Sequence, residues 1–289
     1  MSSSLATDLY DEVAHETAVI VIRRYSTSFS MATRLLGAGV REDVENIYGL
    51  VRVADEIVDG VAEGAGLAPA DVRRRLDEFE AETERATASG YSANLIIHAF
   101  ALTARKTGIG HDLTRPFFAS MRADVLQKKH TPASFDEYVY GSAEVVGLMC
   151  LRAFLAGHDV TAEQDERFVK GARALGAAFQ KVNFLRDLSA DADGLGRAYF
   201  PGVDVAHLTD EVKATLVADI DADLALSGAI VPELPRSSRR AVALAQSLFA
   251  ELNRRIEKTP AAVLRTTRIS VPNAVKTRLL IRALRGKVT

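Results

Sequence analysis

Arg52-Val-Ala-Asp-Glu-Ile-Val-Asp-Gly60 and Gln180-Lys-Val-Asn-Phe-Leu-Arg-Asp-Leu-Ser-Ala-Asp191 each carry two aspartates four residues apart, Asp55 with Asp59 and Asp187 with Asp191. Both stretches have helical apolar spacing, and a separation of four sets both carboxylates on one face, about 6 Å apart along the axis. Each pair precedes glycine, Gly60 in one case, Gly194 and Gly196 in the other. Each is therefore expected in a last helical turn, where the helix dipole is already negative. Like charges there repel, so a cation is missing. Mg²⁺ takes one or two carboxylates and completes its shell with water and phosphate oxygens, and two such pairs point to a metal-bound diphosphate site. The plainer reading is two surface pairs on amphipathic helices. One pair alone would be weak evidence; two, each beside an arginine (Arg52, Arg186) in an apolar setting, are stronger.

Outward from the first pair, Tyr48, Arg52, Asp55 and Asp59 share a face, with apolar cover from Ile47, Leu50, Val51, Ala54 and Val58. Gln180, Asn183, Asp187 and Asp191 form a second stripe of oxygen donors. The same three-to-four periodicity predicts helices near 7–24, 28–36, 43–59, 70–88, 92–107, 114–127, 134–157, 162–191, 209–227, 236–257 and 272–285. No alternating Val/Ile/Thr run is framed by a hairpin turn. An all-α bundle follows, with ligands projecting from facing helices into a central cavity.

The 289 residues, 48% of them hydrophobic, can bury a large core. No linker or repeat divides them, so one domain over 1–289 is expected, with about 1–20 extending the first helix and 258–289 forming a basic C-terminal segment. A net charge of -2 argues against a nucleic-acid binder. After Glu257 the chain has no acidic residue but eight basic ones from Lys258 to Lys287. Such a segment suits peripheral contact with an anionic membrane or a diphosphate; a solvated basic helix face is the plainer reading. Cys150, the only cysteine, excludes an intrachain disulfide and reads as a packed hydrophobe. The N-terminus lacks the pattern of a signal peptide, and no apolar run nears the roughly 20 residues of a membrane span. A cytoplasmic chain is expected, at most peripheral to the inner face of the membrane; the sequence sets no oligomeric state.

Arg23-Arg-Tyr-Ser-Thr-Ser-Phe-Ser30 joins basic residues to hydroxyls, as a diphosphate shell would, or is an ordinary helix N-cap. Between Tyr138 and Gly147, small residues admit either close helix packing or an apolar ligand. Histidines and cysteine form no zinc pattern, and no nucleophile elbow, dinucleotide fingerprint or phosphate-binding loop occurs.

Together these segments resemble the squalene/phytoene synthase family, the head-to-head trans-prenyl diphosphate synthases. The likeness covers about residues 20–285 and rests on Tyr25-Ser-Thr-Ser-Phe29, Arg52 to Asp59, Tyr138 to Gly147, Gln180 to Asp191 and Arg197-Ala-Tyr-Phe-Pro201. It implies the class I isoprenoid synthase fold, with Asp55, Asp59, Asn183, Asp187 and Asp191 holding Mg²⁺ (or Mn²⁺) and Gln180 in support. Arg52, Ser26, Ser28, Tyr48, Arg186 and Arg268 would meet diphosphate, and Tyr199 would close over that end. Phe29, Tyr138, Ala143, Val146 and Gly147 would line the channel for the prenyl tails. Three positions depart from the family pattern: Tyr25 stands for His, Glu56 for the second Asp, and Ala-Glu-Val-Val-Gly for Ala-Gly-Thr-Val-Gly. Glu144 is expected to point away from the channel or to pair with a cation, because a charge facing apolar space is costly.

The resemblance implies a prenyltransferase joining two prenyl diphosphates through a cyclopropyl intermediate. Phytoene synthesis from two geranylgeranyl diphosphates without NADPH is the first expectation, and Thr33, small and one turn past Phe29, leaves room for long tails. The alternatives are squalene or dehydrosqualene synthesis from farnesyl diphosphate, and a catalytically silent helical scaffold.

Overall fold

The computed structural model describes residues 3–59, 61–126, 129–188 and 199–286. The helices are α1 (Ser3–Tyr25), α2 (Thr27–Thr33), α3 (Ala38–Val58), α4 (Val61–Gly64), α5 (Pro69–Ser89), α6 (Leu95–Thr107), α7 (His111–Leu126), α8 (Pro132–Val139), α9 (Val145–Leu155), α10 (Ala162–Arg186), α11 (Asp210–Ile230), α12 (Arg236–Lys258), α13 (Ala261–Leu264) and α14 (Asn273–Leu284). No β-strand occurs among the described residues, and the all-α expectation holds.

Local chemistry starts these helices. Asn94 Oδ1 accepts from the amides of Ile96 and Ile97 at the head of α6. Thr131 with Ser134 and Thr161 with Gln164 form capping boxes that open α8 and α10. Each such cap is worth roughly 1 kcal/mol. One boundary differs from expectation: α10 stops at Arg186, and Asp187 caps it with φ −102 and ψ 11. A carboxylate is disfavoured at the negative end of a helix and has low helix propensity. Asp191 lies outside the described residues.

Two apolar clusters organise the bundle. Leu50, Phe100, Phe117, Phe118 and Met149 centre the first, drawn from α3, α6, α7 and α9. Phe135, Val182, Leu185, Ile220 and Ile256 centre the second, from α8, α10, α11 and α12. Each such side chain contributes roughly 1.5–3 kcal/mol of burial. Between α9 and α10 the backbones nearly touch. A Cβ on Gly147 would lie 2.5 Å from Ala172 O, and one on Gly176 would lie 2.5 Å from Ala143 O. The small residues between Tyr138 and Gly147 thus serve close helix packing, and the pairing of 143 with 176 and 147 with 172 makes the two helices antiparallel.

A π turn, Tyr140–Glu144, joins α8 to α9 and is closed by the Val145 amide on Tyr140 O. The run Pro132–Leu155 contains an 18-residue window of mean hydropathy 1.3 and so has the length and composition of a membrane span. This corrects the expectation that no run approaches that length. Charges at Asp136, Glu137, Glu144 and Arg152 interrupt it. Phe135, Tyr138, Val145, Met149 and Ala153 nonetheless bury it among the other helices.

Candidate active site

Faces of α3, α8–α9 and α10 are the main walls of a cavity of about 360 Å³, which α2, α7, α11 and α12 complete. Val44, Ile47, Tyr48, Val51, Arg52 and Asp55 are the face of α3; Ala172, Leu175, Gly176, Phe179, Gln180 and Asn183 are the face of α10. Both have the spacing of a single helical stripe, and both turn from apolar to polar toward the helix C-terminus. The α8–α9 wall runs the other way, from Tyr138 through Ala143, Val146 and Gly147 to Leu151 and Phe154. The polar ends meet at one mouth, where the Asp55 charge acts on Tyr138, and the far end is apolar. Phe29 stands edge-on to Phe179 with ring centroids 5.8 Å apart, adding an aromatic wall.

Ten expected site residues therefore line one space: Phe29, Tyr48, Arg52, Asp55, Tyr138, Ala143, Val146, Gly147, Gln180 and Asn183. Asp59, the exposed C-cap of α3, the half-buried Ser28, and Arg186, Asp187, Tyr199 and Arg268 do not line it. Ser26 caps α2 by accepting from the Phe29 amide at 3.1 Å, the plainer of its two readings. Arg23 faces a separate pocket.

Arginines answer the acidic charge at the mouth. Arg52 Nη1 bonds Asp55 Oδ2 at 2.9 Å, its other nitrogen meets Glu56, and its Cζ sits 4.4 Å over the Tyr25 ring. Asp187 pairs with Arg186 and, at 2.6 Å, with Nε of the distant Arg268. Burial pushes the Asp187 carboxyl up, but the two arginines outweigh it and hold it below the usual range. Tyr199 stacks on Phe184 with ring centroids 3.9 Å apart and lies 5.7 Å from Tyr138.

Burial raises the Tyr48 phenol, and burial with the nearby Asp124 carboxylate raises Tyr138 well above the ordinary value. Both rings keep their protons, and Tyr138 donates its own. The acceptor for Tyr138 is Asp124 Oδ2 at 2.9 Å. Sequence reading missed Asp124, although a buried aspartate on the α7 face that carries Phe117 and Met121 was a usable signal. It missed His130 as well, whose ring lies 4.9 Å from Tyr138 and stacks toward Tyr199 at 6.2 Å, with its pKa pushed down by burial. Glu144 meets expectation: it faces away from the cavity and binds Arg173 Nε at 2.6 Å.

The donor set fits a hard divalent cation. Asn183 Oδ1 is buried on the cavity wall without a hydrogen-bond partner among the described residues, and Asp55 lines the same cavity. No group of three Asp, Glu, His or Cys able to hold a metal occurs among the described residues. Arg52 Nε, also buried and unpartnered among the described residues, is a donor for an anion.

The squalene/phytoene synthase model matches residues 22–274. The 15-cis-phytoene synthase of Paracoccus sp. (strain N81106 / MBIC 01143) is 29% identical over 278 residues, covering 91% of this chain and 88% of that protein. A chloroplastic phytoene synthase of Zea mays is 31% identical over 234 residues, covering 80% of this chain and 50% of the plant protein. Among solved structures, a dehydrosqualene synthase in complex with ligand superposes with a TM-score of 0.75 at 20% identity, covering 96% of this chain and 97% of that one, so the fold is that of the isoprenoid synthases. With all-helical architecture, a polar-mouthed apolar cavity and a family match over most of its length, the chain belongs to the squalene/phytoene synthase family and is a prenyltransferase-type enzyme.

Proposed function

We propose that this enzyme joins two geranylgeranyl diphosphates head to head to give phytoene. The observation that carries the reading is the cavity, with cationic and oxygen donors at one end and apolar walls beyond; the phytoene synthases among its relatives support it. In the first half, the C–O bond of one substrate breaks and its diphosphate leaves with the electron pair. The double bond of the second substrate attacks the allylic cation, and proton loss gives a cyclopropyl diphosphate. In the second half that diphosphate leaves, the ring rearranges, and loss of a proton yields the product without NADPH.

Residues of the chain divide this work. Arg52, Arg186 and Arg268 take up the charge growing on the leaving group, and Tyr48 donates its protonated phenol toward it. Asp55, Asp59, Asn183, Asp187 and Asp191 would hold Mg²⁺, which when bound neutralises the diphosphate. Tyr199 covers the mouth. Phe29, Phe179 and the tyrosines present π faces to the cation, and Ala143, Val146 and Gly147 leave room for the tails while excluding water. The enzyme works in the cytoplasm, beside the membrane that receives its apolar product.

Product analysis tests the reading. Purified protein is given farnesyl or geranylgeranyl diphosphate, with Mg²⁺ or EDTA and with or without NADPH, and the extracted hydrocarbon is identified. A Mg²⁺-dependent forty-carbon product without NADPH is expected. A thirty-carbon product would replace the substrate assignment, and no product from either substrate would favour the scaffold reading.

A further inference from the structure

The basic residues of α1 and α2 that the cavity does not use line a second, polar pocket of about 280 Å³. His15 and Arg23 reach it from α1, Ser30 and Arg34 from α2, and Arg41, Glu42 and Glu45 from α3. Helix α2 is a shared wall: Phe29, Ala32 and Thr33 face the apolar cavity, whereas Ser30 and Arg34 face this pocket. Arg41 is fixed by donation from Nη2 to Arg34 O at 2.9 Å and Leu36 O at 3.0 Å, and its Nε is buried without a partner among the described residues. Arg23 and Arg34 close no ion pair within 4.0 Å among the described residues. His15 is oriented from behind. Asn46 spends its amide donor on Thr103, so its Oδ1 accepts from His15 Nδ1–H at 2.9 Å, leaving His15 Nε2 3.7 Å from Glu45.

We infer that this pocket binds a phosphate-type oxyanion, separately from the reaction cavity, through Arg23, Arg34, Arg41, His15 and Ser30. Three guanidinium charges, from Arg23, Arg34 and Arg41, face two carboxylates, Glu42 and the buried Glu45. Burial raises the Glu45 carboxyl against the pull of His15, Arg41 and Arg23, and a bound anion raises it further, so anion binding is expected to strengthen as pH falls. An anion held by Ser30 and Arg34 bears on the helix that carries Phe29 and Thr33. Released inorganic diphosphate would thereby act on the cavity through α2.

Calorimetric titration of the full chain with sulfate in metal-free buffer, then with inorganic diphosphate, reads the site directly. Sulfate keeps its charge across the neutral range, so its pH dependence reports the protein. The wild type and R268A, altered at the cavity mouth, are expected to bind one sulfate alike. R23A/R34A, with unchanged helical circular dichroism, is expected to bind it at least about tenfold more weakly, as for loss of a charge-assisted hydrogen bond. Flotation with phosphatidylcholine vesicles, with and without phosphatidic acid, separates the sources. Vesicle capture that is lost in R23A/R34A, without sulfate binding, supports the site and assigns the anion to a lipid headgroup. Equal sulfate affinity in wild type and R23A/R34A, or binding of neither sulfate nor anionic vesicles, overturns the proposal whatever hydrocarbon the enzyme makes.

Discussion

Tyr138 Oη donates to Asp124 Oδ2 at 2.9 Å, and both side chains are buried, at 4% and 8% exposure. The bond joins the mouth of the cavity to the interior of α7. Replacing Tyr138 by Phe withdraws a donor from a buried carboxylate and should cost about 1–3 kcal/mol of stability, measured as a lower urea midpoint with an unchanged slope. Turnover should fall with it, because the bond to Asp124 fixes a ring that lines the cavity. An active, equally stable Y138F would remove Tyr138 from the site.

Asp187 carries a folded pKa held low by Arg186 and Arg268 against burial. Its contribution to stability is therefore present above the unfolded carboxylate value, near 4, and fades as pH falls through the lower folded value. The pair is partly exposed, so D187N should lose about 1 kcal/mol or less at neutral pH. The gap from wild type should close in acid titrations. Turnover should vanish in both D187N and D55A while the thermal midpoint hardly moves; clear unfolding would instead mark these residues as structural.

Gly176 has no space for a side chain, since a Cβ there would meet Ala143 O at 2.5 Å and Glu144 Cα at 2.9 Å. These are backbone atoms and cannot rotate aside. G176A should force α9 and α10 apart at a cost of about 1–3 kcal/mol, read by chemical denaturation. A wild-type midpoint would show that the crossing is loosely packed.

Thr33 is 5% exposed and lines the cavity from α2. T33F places a ring in the space assigned to the longer tail. It should lower kcat/KM for geranylgeranyl diphosphate by about tenfold or more, the scale of one or two methylene clashes, while sparing farnesyl diphosphate. T33S should keep the wild-type preference. Equal losses for both substrates would show that Thr33 does not measure chain length.

Much of this architecture was legible in the sequence, because helices announce themselves by period. The stripe from Tyr48 to Asp55 could be read residue by residue, as could the polar run from Gln180 to Asp187. What escaped was contact across distance. Repulsion between paired aspartates was the natural reading of each motif, yet Arg268 reaches Asp187 from 81 residues away and Arg52 folds back on Asp55. Arg52 lies only three residues from Asp55 and was open to a spacing argument, but no local spacing reports Arg268. Asp124 and His130 were missed for the same reason, since each gains meaning only from Tyr138 beside it. The end of α10 was placed too late because Asp187 was counted as a helix-face residue, when a carboxylate at that terminus leaves the helical conformation.

The π turn at Tyr140–Glu144 bears on how this wall can change. One residue beyond an α-helical turn delays everything after it by about 100° of rotation. That delay brings Tyr138, upstream of the turn, into phase with Val146 and Cys150 downstream, so that all three face the cavity. Exchange of one side chain for another leaves this phasing intact. Deletion of Ser142 would not: the turn would tighten to α, and Tyr138 would swing off the mouth or drag Asp124 with it. The number of residues between Tyr138 and Val146 is thus a constraint in its own right, and lineages of this enzyme can vary the lettering of the wall far more freely than its length.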